Sequence, residues 1–265
     1  MTVIQVGNIH KRFGKVHVLR GVEFRIPERE GAVLLGANGC GKSTLMRCMN
    51  GLARPEQGSI RVHGTDVATC GQRKLRGVRR QVGMVFQNFN LVGNLSVFQN
   101  VLYGALARHR SFFSVAAPLA SREERDYALH CLERVQLAHC ADQRADQLSG
   151  GQQQRVAIAR VLMQRPSVVL ADEPVASLDP KAAREVMNLL WSVVRAEGMT
   201  LLCTLHQLDF AMEYGDRVIG MKAGHVQVDR PMHQTDRNEL QSLYEGNVRV
   251  DETPSESTTP LRKAS

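Results

Sequence analysis

Apolar and polar residues alternate over residues 3–9 and again over residues 22–26, the period-two pattern of half-buried strands. Residues 32–35 form instead a short unbroken apolar run that ends in a glycine-rich turn. From Lys42 the stretch STLMRCMNGL carries helix formers and stops at Gly51, and residues 60–62 and 82–86 return to strand character. The order is strand, glycine loop, helix, then further strands.

The middle of the chain reads differently. Ser96 with Gln99 and Ser121 with Glu124 both match the S-x-x-[EQ] capping box, so each predicts a helix start. After the second, Ala128, Leu129, Leu132 and Val135 fall on one helical face, and a further helix is predicted over residues 151–164. Strand and helix then alternate again: a buried strand at 168–171, a helix opened by Asp179 and Pro180 and ended at Gly198, and a strand at 200–205. This order predicts an α/β fold with a mostly parallel sheet interrupted by a helical insertion. The expected organisation is one domain over residues 1–245, with a core of 1–86 and 165–245 and a helical subdomain at about 87–164. Residues 246–265 are polar, with too little to bury to offset the entropy of ordering, and are expected to form a disordered tail.

Composition narrows the class. No window approaches the eighteen or so apolar residues that span a bilayer, and the first residues lack the basic-then-apolar layout of a signal peptide, so the chain is expected in the cytoplasm. Cys40, Cys48, Cys70, Cys131, Cys140 and Cys203 form no C-x-x-C pair and are irregularly spaced, which predicts reduced, mostly buried thiols rather than disulfides or a zinc site. The net charge of +8 alone does not choose between nucleic acid, anionic lipid and phosphate-bearing ligands. Its densest stretch, RKLRGVRR at residues 73–80, has no interleaved aromatics and contains Gly77, so it reads as a solvated helix face and turn.

Residues 36–44 read GANGCGKST and fit G-x-x-x-x-G-K-[ST], placed after a strand and at a helix start as a phosphate loop requires. Gly36, Ala37, Asn38, Gly39, Cys40 and Gly41 form the curl whose N–H groups point at phosphate oxygens, the glycines permitting the backbone geometry. Lys42 is expected on the β- and γ-phosphates and Ser43, the last position of the motif, on Mg²⁺, with Thr44 next to it also expected at the nucleotide. Residues 167–173 read SVVLADE, a buried strand delivering two carboxylates at its C-terminal end, where open α/β sheets bind ligands. Asp172 is then a metal ligand, direct or through water, and Glu173 the base that orients and deprotonates the attacking water.

Residues 148–152 read LSGGQ. With this motif between the phosphate loop and the DE strand, the chain resembles the ABC (ATP-binding-cassette) ATPases over roughly residues 1–245. Physically, the Ser149 hydroxyl and the bare backbone of Gly150 and Gly151 at a helix start make a second anion site. The resemblance implies that Leu148, Ser149, Gly150, Gly151 and Gln152 act in trans, closing over ATP held by the phosphate loop of a second copy in a head-to-tail dimer. It further implies that Phe13 stacks on adenine, and that Gln87 senses Mg²⁺ and the attacking water while its loop touches the membrane partner. Ser177, Leu178 and Asp179 match the loop between the two sites, and His206 the switch histidine at the γ-phosphate.

Members of this family drive transport through separate subunits. The implied partners are two transmembrane permease subunits and, indirectly, an extracytoplasmic solute-binding protein, with this chain on the cytoplasmic face of the membrane and no nucleic acid expected. Residues 87–106, the HRSFF stretch at 109–113 and DEPVASLDP at 172–180, with Val175, look most like the ATPase of phosphonate importers. Phosphate or polar amino acid import is the next reading, and a nucleic-acid-linked ABC ATPase or a phosphate-loop kinase the alternatives from other classes. Phe112 and Phe113 are expected either to pack on the helical subdomain or to face the membrane subunits.

Overall fold

The computed structural model describes residues 1–109 and 120–245. Phe112, Phe113 and the polar tail lie outside the described residues. Strands β1 (Thr2–Phe13) and β2 (Val16–Pro27) form a hairpin, closed where Gly14 takes φ +56, a conformation that costs glycine nothing. With β4 (Gln57–Val62) and β5 (Thr65–Asp66) they make an antiparallel sheet in the order β2-β1-β4-β5. The second sheet runs β10-β9-β3-β8-β7-β6, built from β3 (Gly31–Leu35), β6 (Val82–Val85), β7 (Val168–Asp172), β8 (Thr200–Thr204), β9 (Arg217–Lys222) and β10 (His225–Pro231). Its pairs are parallel except at the β10 edge.

The unbroken apolar runs are explained by burial on both sheet faces. In β3, Ala32 and Leu34 join the core shared with the antiparallel sheet and α1 (Lys42–Met49), while Val33 and Leu35 join the core under the helices. The same split puts Val168 and Leu170 on one side of β7 and Val169 and Ala171 on the other. Side chains that alternate across a strand therefore serve two cores at once.

Among the described residues between β6 and β7 lie the helices α3 (Val97–Leu102), α4 (Arg122–Arg134) and α5 (Gly150–Gln164), after α2 (Gln72–Gln81) has preceded β6. Gly104 lets the turn at Tyr103–Ala107 lie against α5, since a Cβ there would stand 2.1 Å from the Arg160 carbonyl oxygen. Arg108 then reaches Glu124 with both terminal nitrogens (2.9 and 2.6 Å) and the Met163 carbonyl (3.1 Å), fastening the turn to α4 and α5. Burial pushes the Glu124 carboxyl up, but the bonds from Arg108 and His109 outweigh it and hold it below the usual carboxylate range.

After β7 come α6 (Pro180–Ala196), α7 (Leu208–Tyr214) and α8 (Arg237–Ser242). No described helix is long and apolar enough to cross a membrane. The cysteines are unpaired, and all but the half-buried Cys70 are buried.

Three local expectations need correction. The capping boxes at Ser96 and Ser121 are half-boxes: each hydroxyl accepts from the N–H three residues on, but Gln99 turns to the Tyr103 hydroxyl and Glu124 to Arg108 and His109. Leu129 is 40% exposed, because α4 buries only the narrower stripe of Ala128, Cys131 and Leu132. The basic stretch contains no turn; α2 runs unbroken through Gly77.

Candidate functional site

The loop after β3 is shaped by its glycines. Gly36, Gly39 and Gly41 have φ of +147, +76 and +110, and a Cβ on Gly36 would stand 2.2 Å from the Met221 carbonyl. Any side chain there collides with β9. Lys42, only 4% exposed, donates from Nζ to the carbonyls of Gly36 (2.8 Å) and Ala37 (3.3 Å), so its charge lies under the loop. Burial pushes the Cys40 thiol up, Lys42 partly opposing, so Cys40 is a neutral packing group rather than a nucleophile.

Parallel pairing sets Asp172 beside Thr204 across β7 and β8. Thr204 Oγ donates to Asp172 Oδ1 (3.0 Å) and accepts from the Glu173 N–H (2.7 Å). Ser43 Oγ donates to the same Asp172 oxygen at 3.2 Å. Glu173 has φ +48, a left-handed conformation that a non-glycine residue holds only when its surroundings fix it. Here the fixing comes from Thr204 at its backbone and His206 at its carboxylate, with Nε2 to Oε1 at 2.6 Å. Thr204, fully buried, is a positioning residue that the sequence alone does not reveal.

A cleft of about 300 Å³ is bounded by Val18, Asn38, Gly39, Lys42, Ser43 and Glu173, among others of the loop. Ser43 and Asp172 present hard oxygen donors side by side, the chemistry Mg²⁺ selects, so the residues fit that ion. Gln87 is exposed in the turn after β6, and Phe13, 53% exposed at the hairpin end, lies under Lys11 Nζ at 5.1 Å; neither borders the cleft.

The LSGGQ residues stand elsewhere. Ser149 and Gln152 form the full capping box of α5: Ser149 Oγ accepts from the Gln152 N–H (3.3 Å) and Gln152 Oε1 from the Ser149 N–H (3.0 Å). The Gly150 and Gly151 N–H groups remain outside the box at the helix start, and the Ser149 hydroxyl keeps its hydrogen for donation. Leu148 is buried and anchors the motif. A Cβ on Gly150 would stand 3.1 Å from Leu178, and one on Gly151 3.2 Å from Ala182, so the small residues also admit the segment from Ser177 onward. Asp179 caps α6 through Oδ1, accepting from the N–H groups of Lys181 (3.1 Å) and Ala182 (3.0 Å). The groove beside Ser149, Gly151 and Gln152 is walled by His139, Arg155 and Glu185, and is separate from the phosphate-loop cleft.

A further link joins the helix of the LSGGQ motif to the segment that follows Gln87. Arg160 of α5 donates to the carbonyls of Asn90 (2.5 Å) and Phe89 (3.0 Å), both held at positive φ, in the segment that follows Gln87. The helix that begins with the signature motif therefore grips the loop carrying Gln87.

Residues 19–176 match the family described as ABC transporter. A phosphonates import ATP-binding protein of Nocardia farcinica is 48% identical over 245 residues, 92% of this chain and 90% of that protein. A phosphate-import ATP-binding protein of Mycolicibacterium smegmatis is likewise 48% identical, over 92% of each. Among solved structures, the dimeric ATP-binding cassette MJ0796 in a post-hydrolysis state with ADP and Pi has a TM-score of 0.75 at 33% identity, covering 86% of this chain and 98% of that one.

Proposed function

The chain belongs to the ABC transporter family, and on that premise we propose that it is the ATPase subunit of a membrane importer whose cargo is a phosphonate. The observation that carries this reading is the single cleft where the phosphate loop, Ser43 and the fixed Glu173 carboxylate meet. Lys42 and the loop N–H groups hold the β- and γ-phosphates, and Phe13 stacks on the adenine. Ser43 and Asp172, with Gln87, would hold Mg²⁺, which would supply charge neutralisation for phosphoryl transfer. Glu173 takes the proton of the attacking water and His206 reads the γ-phosphate.

The signature residues Leu148 to Gln152 complete the site of a second copy in a head-to-tail dimer, and Ser177, Leu178 and Asp179 lie between the two sites. That the signature groove and the phosphate-loop cleft are separate within one chain supports this trans arrangement. Closure on two ATP molecules, hydrolysis and reopening move the helical part, residues 87–164, against the core. Arg160 passes that motion to the Gln87 loop and so to two transmembrane permease subunits at the cytoplasmic face of the membrane. An extracytoplasmic binding protein delivers the cargo.

Phosphonate import is favoured by the relative from Nocardia farcinica, and phosphate import, a second reading, by the one from Mycolicibacterium smegmatis. Both cargoes carry a tetrahedral phosphorus oxyanion, and other subunits select between them. A deletion strain lacking redundant systems, grown on a phosphonate or on limiting phosphate as the phosphorus source, tests the choice. Loss of growth on the phosphonate alone is expected; normal phosphonate uptake would overturn it.

A further inference from the structure

Helix α2 carries Arg73, Lys74, Arg76, Arg79 and Arg80 and no acidic residue. Arg73 and Lys74 in the first turn oppose the helix dipole while Arg79 and Arg80 in the last turn favour it, and Arg76 with Arg80 is a like-charge i,i+4 pair, so it is the crowding of like charge that carries an electrostatic cost. The fold recovers little of it. Only Leu75 and Val78 are buried, and only Arg79 is used internally, donating to the carbonyls of Asn50 (3.0 Å) and Gly51 (3.0 Å). Arg73, Lys74, Arg76 and Arg80 are exposed, and their side-chain cations enter no hydrogen bond or ion pair among the described residues.

Gly77 has nothing within 4 Å of where a Cβ would stand, which leaves the ridge between these arginines open. Arg73, Arg76 and Arg80 border a cleft of about 680 Å³ whose far wall is Leu106, Ala107 and His109. Glu124, the carboxylate that touches His109 at 2.9 Å, is already held by Arg108, so it does not neutralise the arginines. Among the described residues no Phe, Tyr or Trp borders the cleft, and its one ring, His109, is engaged by Glu124, which leaves bases little stacking platform, whereas guanidinium forks match phosphate oxygens. The cleft shares Arg79, Leu106 and Ala107 with a neighbouring one lined by Phe86 and Asn90, on either side of Gln87.

We infer that the exposed face of α2 binds the phosphate headgroups of anionic phospholipids, holding the ATPase against the bilayer beside its membrane partners. Its orientation rests on reading the Gln87 loop as the membrane-facing side; its affinity for headgroups does not. The test is cosedimentation of the full chain with vesicles of neutral phosphatidylcholine, with and without 30% phosphatidylglycerol as the probe composition, roughly the anionic content that makes a surface attract basic segments. Binding is expected only to the anionic vesicles and should weaken with salt.

The combined variant Arg73→Gln, Arg76→Gln, Arg80→Gln should bind about a hundredfold more weakly, at about fivefold per charge. The same three positions changed to Lys should retain binding. A charge-matched control, Arg25→Gln, Arg54→Gln, Arg61→Gln, should bind like the parent. Equal loss in the control, undiminished binding by the cluster variant, or displacement by duplex DNA at equal phosphate concentration would overturn the inference. ATP binding measured on the same samples should be unchanged in the cluster variant, which separates failure of this surface from failure of the nucleotide site.

Discussion

His206 Nε2 stands 2.6 Å from Glu173 Oε1, so the carboxylate that would take a proton from water is held by a neighbouring ring nitrogen. Together with the left-handed backbone at Glu173 and its N–H bond to Thr204, this aims the carboxylate into the phosphate-loop cleft. Glu173→Gln preserves the shape and removes the base. Hydrolysis by the assembled transporter is expected to fall ~10² to 10⁴-fold while ATP binding survives. Retention of most turnover would remove Glu173 from that role.

Thr204 is isosteric with valine, so Thr204→Val deletes two hydrogen bonds without a cavity. It leaves the Glu173 N–H without its acceptor in a strained position. A loss of about 1 to 3 kcal/mol is expected in denaturant unfolding. Turnover should fall with it, and Thr204→Ser, which restores the hydroxyl, should recover most of the activity.

Two glycines should respond in opposite directions to alanine. Gly77 lies inside α2 at no left-handed angle and with open space around it, so Gly77→Ala should stabilise by about 0.5 to 1 kcal/mol. At Gly104 the added methyl would meet the Arg160 carbonyl at 2.1 Å, and Gly104→Ala should destabilise by about 1 to 3 kcal/mol. Urea midpoints of the two variants against the parent check both signs.

Glu124 tests the charge cluster at the α4 start. Its carboxyl is held below the ordinary value, so its stabilising contribution is present above the unfolded carboxylate pKa of about 4.3 and is lost as pH falls through the lower folded value. The stability gap between the parent and Glu124→Gln should therefore be full at neutral pH and shrink on acidification. A gap that widens toward low pH would contradict the assignment.

The sequence made legible what local pattern controls. Residues 32–35, 168–171 and 200–205 read as buried strands because both their faces are covered, and the glycine loop read as a phosphate loop because its flanks were a strand and a helix. β9 and β10 escaped the reading, although the Ala223 and Gly224 turn, both at positive φ, is the signal that separates them. α2 was obscured because only Leu75 and Val78 mark its buried face and Gly77 resembles a break. Thr204 and Arg160 carried no local signal. Their roles arise from strand pairing with Asp172 and from carbonyls of Phe89 and Asn90 about seventy residues away, contacts that exist only after folding. At Glu124 partners from outside the helix, Arg108 and His109, outcompete the cap, while Gln99 turns to Tyr103, one helical turn along the chain.

If phosphate loop and signature motif form one nucleotide site only across two chains, variants damaged in opposite motifs should complement each other. Consider one chain carrying Lys42→Ala, which disables the loop, and another carrying Ser149→Arg, which fills the signature groove with bulk and charge; each homodimer then has two damaged sites. A mixed head-to-tail dimer pairs the intact loop of the second chain with the intact signature of the first and gathers both lesions in the other site. The measurement is nucleotide occlusion in differently tagged, purified mixed dimers assembled with the membrane subunits, with Glu173→Gln in both chains to hold the closed complex. One occluded ATP per mixed dimer and none in either parent is expected; no occlusion in confirmed heterodimers would rule out the trans arrangement.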